Sequence, residues 1–304
     1  IKIKFIINMN IKKSILVIVL SSFFSFISAQ ETTLLKNWKF TNYDYGAAFQ
    51  ESFDDSEWEN VTVPHDWAAV QDFNFAHDVQ LTTVIQDGET KPRYRTGRSG
   101  ALPYVGIGWY RTDYAITASE LKEKVQILFD GAMSNAKVYV NGNYVGERPF
   151  GYISFYFDIT KFLKPGKNSI AVRLENFNSQ SRWYPGAGLY RKVSIIKTNK
   201  THVKTWGTFV TTPVIEKRHA EVHVDVEVLG NGNYTMVNEV ISPEGKQIDR
   251  KSKEITIQNN TKITENFKVS KLKLWNLETP YLYQLKTSIL KENKVVNTYT
   301  TSFG

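Results

Sequence analysis

Four runs between Lys124 and Leu174 decide the fold: K-V-Q-I-L-F (124–129), A-K-V-Y-V (136–140), S-F-Y-F-D-I (154–159) and N-S-I-A-V-R-L (168–174). Apolar and polar residues trade places at every second position, the period of half-buried strands rather than of helices. Asn141-Gly142, set between Val140 and Tyr144, is a hairpin signal, because a type I′ turn needs positive φ at both central positions. Lys164-Pro165-Gly166-Lys167 is a second turn, in which Pro fixes φ and Gly supplies the left-handed residue. Many short strands punctuated by Gly and Pro predict a β-sandwich or jelly roll.

Working outward, the chain after Gln30 reads almost nowhere as helix. A seam falls near Thr198 to His202. Beyond it, A-E-V-H-V-D-V-E-V places Val222, Val224, Val226 and Val228 on one face and His223, Asp225 and Glu227 on the other. The turn S-P-E-G (242–245) follows, with strands around Ile255, Ile263 and Leu285. Roughly seven strands in about 100 residues fit an immunoglobulin-like sandwich. The expected fold is therefore all-β: a jelly roll over residues 30–199, then an immunoglobulin-like β-sandwich over 200–304.

Residues 1–29 read as a targeting segment, with Met9 the expected start. Lys12 and Lys13 precede an apolar run from Ile15 to Ile27, and a cut after Ala29 is expected. That run is shorter than the roughly 20 residues of a membrane span. The expected location is periplasmic or extracellular, with no membrane attachment after cleavage. The net charge of +8 falls to +4 once Lys2, Lys4, Lys12 and Lys13 of this segment are set aside, a balance that implies no nucleic-acid partner. The chain has no Cys, which excludes disulfides, thiolate metal sites and a Cys nucleophile together.

Several blocks resemble glycoside hydrolase family 2, in the family's order. They are V-P-H-D-W (63–67), H-D-V-Q-L with I-Q-D-G-E (77–89), R-T-G-R-S-G-A-L-P-Y-V-G-I-G-W-Y-R (95–111), the F-D-G-A stretch (129–146) and the F-D-I-T stretch (157–176). S-R-W-Y-P-G-A-G-L-Y-R (181–191), W-G-T-F-V-T-T-P (206–213) and L-W-N-L-E-T-P-Y-L-Y (274–283) complete the series. The resemblance implies a galactose-binding-like jelly roll and the immunoglobulin-like domain that precedes the family's catalytic barrel. It implies the N-terminal part of an exported retaining β-glycosidase, most similar to secreted β-galactosidases. The substrate would be a β-linked oligosaccharide or polysaccharide. Catalysis would fall to two glutamates on a barrel of the same polypeptide, and a (β/α)₈ barrel needs about 250 residues. On that reading this chain carries no catalytic residue and is inactive alone. Two alternatives stand beside it: a self-sufficient, non-catalytic glycan-binding protein, or a parent that is a β-glucuronidase or β-mannosidase.

Arg182, Trp183 and Tyr184 are the residues selected to touch substrate, since Trp and Tyr faces stack on the C–H face of a pyranose. The other reading gives Trp183 a packing role against the barrel. Several family members carry, at the position of Arg182, an Asp that reaches the terminal sugar. Here a guanidinium would bond vicinal hydroxyls or pair with a carboxylate or sulfate. Asp78 and Gln80 open a strand-poor stretch running to Tyr104, of the kind that is functional or disordered. Lys91, Arg93, Arg95 and Arg98 read as a solvated loop rather than a polyanion patch. His65 stands beside Asp66, but no serine elbow accompanies them. Asn238-Glu239 imitates the family's Asn-Glu pair, yet lies in an alternating strand. His219 and His223 would sit roughly 13 Å apart on a strand, too far to share a metal. No cofactor or metal site is indicated, and a structural Ca²⁺ in the jelly roll is left open.

Overall fold

The computed structural model describes residues 30–304 except 75–76, 78, 86–87, 97–103, 105, 178–184 and 218. The leader at 1–29 and the selected residues Asp78, Arg98, Arg182, Trp183 and Tyr184 lie outside the described residues. The described chain divides into two compact units, Gln30–Lys200 and Thr201–Gly304.

In the first unit the strands are β1 (Glu31–Leu34), β2 (Asn37–Thr41), β3 (Glu59–Thr62), β4 (Val79–Thr82), β5 (Arg93–Thr96) and β6 (Gly106–Ile116). They continue with β7 (Lys124–Phe129), β8 (Ala136–Val140), β9 (Asn143–Arg148), β10 (Phe155–Asp158), β11 (Gly166–Asn176) and β12 (Val193–Thr198). A four-stranded sheet, β1-β12-β7-β10, faces a six-stranded one, β3-β2-β6-β11-β8-β9, while β4 and β5 pair separately. This is the galactose-binding-like jelly roll. Alternation does the sorting: Val138, Val140, Ile170, Val172 and Leu174 join Ile127, Phe129 and Ile195 in the core. Their neighbours Lys137, Tyr139, Arg173 and Glu175 fall on the other face of the six-stranded sheet.

Part of that outer face is roofed by the segment after β2. Ala48 and Trp58 pack there on Trp109 and Ala171. Two arginines tie the roof down. Arg111, 4% exposed, donates to Asp55 Oδ2 at 2.6 Å and to the carbonyls of Ala48 and Gln50. Arg173 donates to both oxygens of Asp44, at 3.0 and 2.8 Å. Such bidentate, charge-assisted bonds fix geometry as well as adding energy.

The second unit has strands β13 (His202–Ile215), β14 (His219–Ile241), β15 (Gln247–Ser270), β16 (Tyr283–Lys291) and β17 (Lys294–Phe303). The sequence predicts about seven short strands; the described residues form five, two of them 23 and 24 residues long. The difference lies at Gly230-Asn231-Gly232. The first half of β14 pairs with β13 and the second half with β16, while β15 follows it throughout. Gly230 and Gly232 have φ of 137° and 112°, and Asn259, the register partner of Gly230, has φ 59°. Both strands bend there without breaking their ladder, so halves that sequence reading separates belong to one strand. Val222 to Val228 and Met236 to Val240 thereby share one core with Ile255, Phe267 and Leu285, as an immunoglobulin-like sandwich requires. Among the described residues no helix is long and apolar enough to cross a membrane.

Candidate functional site

The Trp-Tyr-Pro-Gly loop joins β11 to β12, and its second half is fixed residue by residue. Asn176, the last residue of β11, donates from Nδ2 to the Gly186 carbonyl at 2.8 Å. The Ala187 amide donates to Asp66 Oδ1 at 3.0 Å, and the Ala187 carbonyl accepts from the Trp67 amide at 2.9 Å. Gly188 and Met133 exchange two amide–carbonyl bonds of 2.9 Å, and the Leu189 carbonyl accepts from the His65 amide at 2.8 Å. V-P-H-D-W and the loop's G-A-G-L thus form a short two-sided ladder, closed by a side-chain carboxylate.

The glycines are there for room. Gly188 has φ 120°, and a Cβ on it would stand 2.5 Å from both the His65 carbonyl and the Tyr110 hydroxyl. Gly186 has φ 80° and would bring a Cβ to 3.2 Å from Asp66 Oδ2. Beneath the ladder, Trp67 is fully buried and stacks on Phe40 at 5.5 Å. Truncating a buried aromatic of this kind costs about 3–5 kcal/mol. His65 Nδ1 lies 2.8 Å from the Tyr110 hydroxyl. Burial lowers the His65 pKa and pushes that of Tyr110 well up, so the pair stays neutral at pH 7. His65 is a packed support under the loop.

The β4–β5 pair adjoins this cradle through Tyr104. The Tyr104 carbonyl accepts from Trp67 Nε1 at 3.1 Å, and its ring meets His77 edge-on at 5.7 Å. Gln80 is held by its backbone opposite Arg95. Glu89 binds Arg95, lies 3.8 Å from Arg93 and accepts the Val84 amide at 3.1 Å. The Arg95 bond, then the Val84 amide, pull the Glu89 pKa down. Two of the four basic residues in this stretch therefore face a carboxylate. Of the five residues selected to meet substrate, Gln80 alone is described.

Sequence reading missed Asp66, Asn176 and Tyr110 as the loop's supports. Asp66 stood in plain view in V-P-H-D-W, but its partner Ala187 is 121 residues away. Glu239 sits within β14, 3.3 Å from Lys286 Nζ, while Asn238 is fully buried and bonded to Thr287 and Glu265. His223 Nδ1 lies 2.7 Å from Asn266 Oδ1, and His219 lies 3.5 Å from Glu216. No group of three His, Cys, Asp or Glu side chains is placed to hold a metal among the described residues.

Comparison with known proteins places this geometry. Residues 32–199 match the sugar-binding domain of glycosyl hydrolases family 2, and residues 201–304 match a second model of glycosyl hydrolases family 2. A putative β-glucuronidase of Formosa agariphila is 37% identical over 95% of this chain and 26% of its own length. β-Galactosidase BoGH2A of Bacteroides ovatus is 34% identical over 88% of this chain and 30% of its own. The crystal structure of a glycosyl hydrolase family 2 member from Bacteroides cellulosilyticus superposes with a TM-score of 0.79. It is 30% identical and covers 90% of this chain and 35% of its own. The chain thus spans about a quarter to a third of the relatives it matches.

Proposed function

We propose that this chain, which belongs to glycosyl hydrolases family 2, is the N-terminal part of a retaining exo-β-glycosidase. The parent removes terminal β-galactosyl or β-glucuronosyl residues from oligosaccharides or polysaccharides. The observation that carries this is the match to two family models in succession over residues 32–304. Relatives named β-glucuronidase and β-galactosidase stand at 37% and 34% identity, so the galactoside is not ranked above the glucuronide. In this reading the loop after β11, seated on Asp66 and Trp67, forms one wall of the sugar site. The two carboxylates, roughly 5 Å apart in a retaining enzyme, belong to the remaining part of the parent. The basic and apolar leader at 1–29 supports export.

The test is turnover by the longer polypeptide on an aryl β-glucuronide and an aryl β-galactoside, with product stereochemistry followed by NMR. One of the two should be cleaved with retention of configuration. Inversion, or turnover of neither, sinks the proposal.

A further inference from the structure

Among the described residues, the outer face of the six-stranded sheet is not roofed along its whole length. Beyond the segment that Arg111 and Arg173 tie down, a half-open cleft of about 240 Å³ is lined by Asn135, Lys137, Glu147, Pro149, Glu175 and Phe177. They come from the start of β8, the end of β9 and the end of β11, so the sheet itself sets their spacing. Glu175 Oε2 accepts from Arg173 Nη1 at 2.8 Å, and Arg173 is held in turn by Asp44. That chain of bonds fixes one wall. Asn135 Nδ2 is committed to the Glu175 carbonyl at 2.8 Å and to Ser134 Oγ at 3.2 Å. Phe177 is 44% exposed at the rim. Lys137 is half-buried opposite Glu147 in the β8–β9 register, and its ammonium forms no ion pair among the described residues.

An aromatic ring, two carboxylates and an ammonium converging on a small concavity match the chemistry of a pyranose. A ring face receives the sugar's C–H face, carboxylates accept from hydroxyls, and an ammonium donates to them. The cleft falls below the roughly 300–1,000 Å³ of drug-sized sites, which restricts it to about one ring. A uronate would meet the carboxylates of Glu147 and Glu175, whereas a neutral ring would not be repelled.

We infer that this cleft is a subsite for one neutral pyranose ring of the glycan. The inference rests on the carbohydrate-active reading above, but its test is binding, not turnover. The 304-residue chain is titrated with a neutral β-galacto-oligosaccharide and, separately, with a glucuronate oligosaccharide, by calorimetry and by amide NMR shifts. The neutral ligand should shift residues 135–137, 147 and 175–177. Lys137→Met and Phe177→Ala should each weaken binding about tenfold while the Lys137→Met melting temperature stays unchanged. Three results overturn the inference: no shifts in those segments, wild-type affinity in both variants, or tighter binding of the uronate. If the longer polypeptide hydrolyses glycosides and this cleft stays silent, the subsite falls and the hydrolase reading stands.

Discussion

Replacing Asp66 probes the cradle most sharply, because one carboxylate oxygen holds two backbone amides. Asp66 Oδ1 accepts from Ala68 at 3.1 Å and from Ala187 at 3.0 Å. Ala187 is fully buried and Ala68 is 2% exposed. Asp66→Ala strands both donors. A buried, unsatisfied N–H costs about 1–3 kcal/mol, so the loss for the pair should be about 2–4 kcal/mol. Asp66→Asn keeps an acceptor oxygen in place and should lose about 1 kcal/mol or less. Five of the seven tryptophans lie between residues 30 and 200, so urea unfolding followed by Trp fluorescence reports mainly on the jelly roll. With a urea dependence of about 2–3 kcal/mol per M, the alanine midpoint should drop by about 1 M. The asparagine midpoint should drop by less than half of that. An unchanged alanine midpoint, or equal damage in both variants, would refute the argument that this carboxylate seats the loop.

Three further outcomes follow from the same geometry. Gly188→Ala forces a side chain into φ 120° with its Cβ 2.5 Å from a carbonyl oxygen. It should lose at least about 2 kcal/mol in the same urea assay, and a wild-type midpoint would refute the close approach. Gly230→Ala places a Cβ 2.4 Å from Thr201 Oγ1 at the bend of β14 and should destabilise the second unit by a similar amount. Faster amide exchange on both sides of residue 230 checks it. The bond from Lys197, then those from the Thr117 hydroxyl and amide, holds Glu120 at a pKa of about 2, below its ordinary 4.5. A depressed folded-state pKa means stability present above pH 4.5 and lost as pH falls toward 2. Glu120→Gln should therefore melt below the wild type at pH 6, and the two curves should converge near pH 2. Parallel curves across that window contradict the pairing.

Much of the fold was legible in the strand period. Val222 to Val228 announced a one-sided strand because one face meets a core and the other meets water. What failed was continuity: Gly-Asn-Gly carries the same letters whether a strand turns back or bends through. Only the facing Asn259, with its own positive φ, distinguishes the two. The loop's second half was legible in part, since P-G-A-G signals a tight path. Its supports were not, because Asp66 and Ala187 meet across 121 residues. The cleft at Lys137 left no mark in sequence either. Its residues are ordinary outward-facing strand positions until β8, β9 and β11 bring them side by side.

On the proposed function, this chain shapes a sugar site and the bond-cleaving carboxylates are supplied from elsewhere in the parent. The most direct measurement is the steady-state rate of the purified 304-residue chain on aryl β-galactoside and aryl β-glucuronide. No aglycone should be released above the buffer rate on either substrate. Turnover that co-purifies with the chain and is lost when Glu147 or Glu175 is changed to Gln would contradict it.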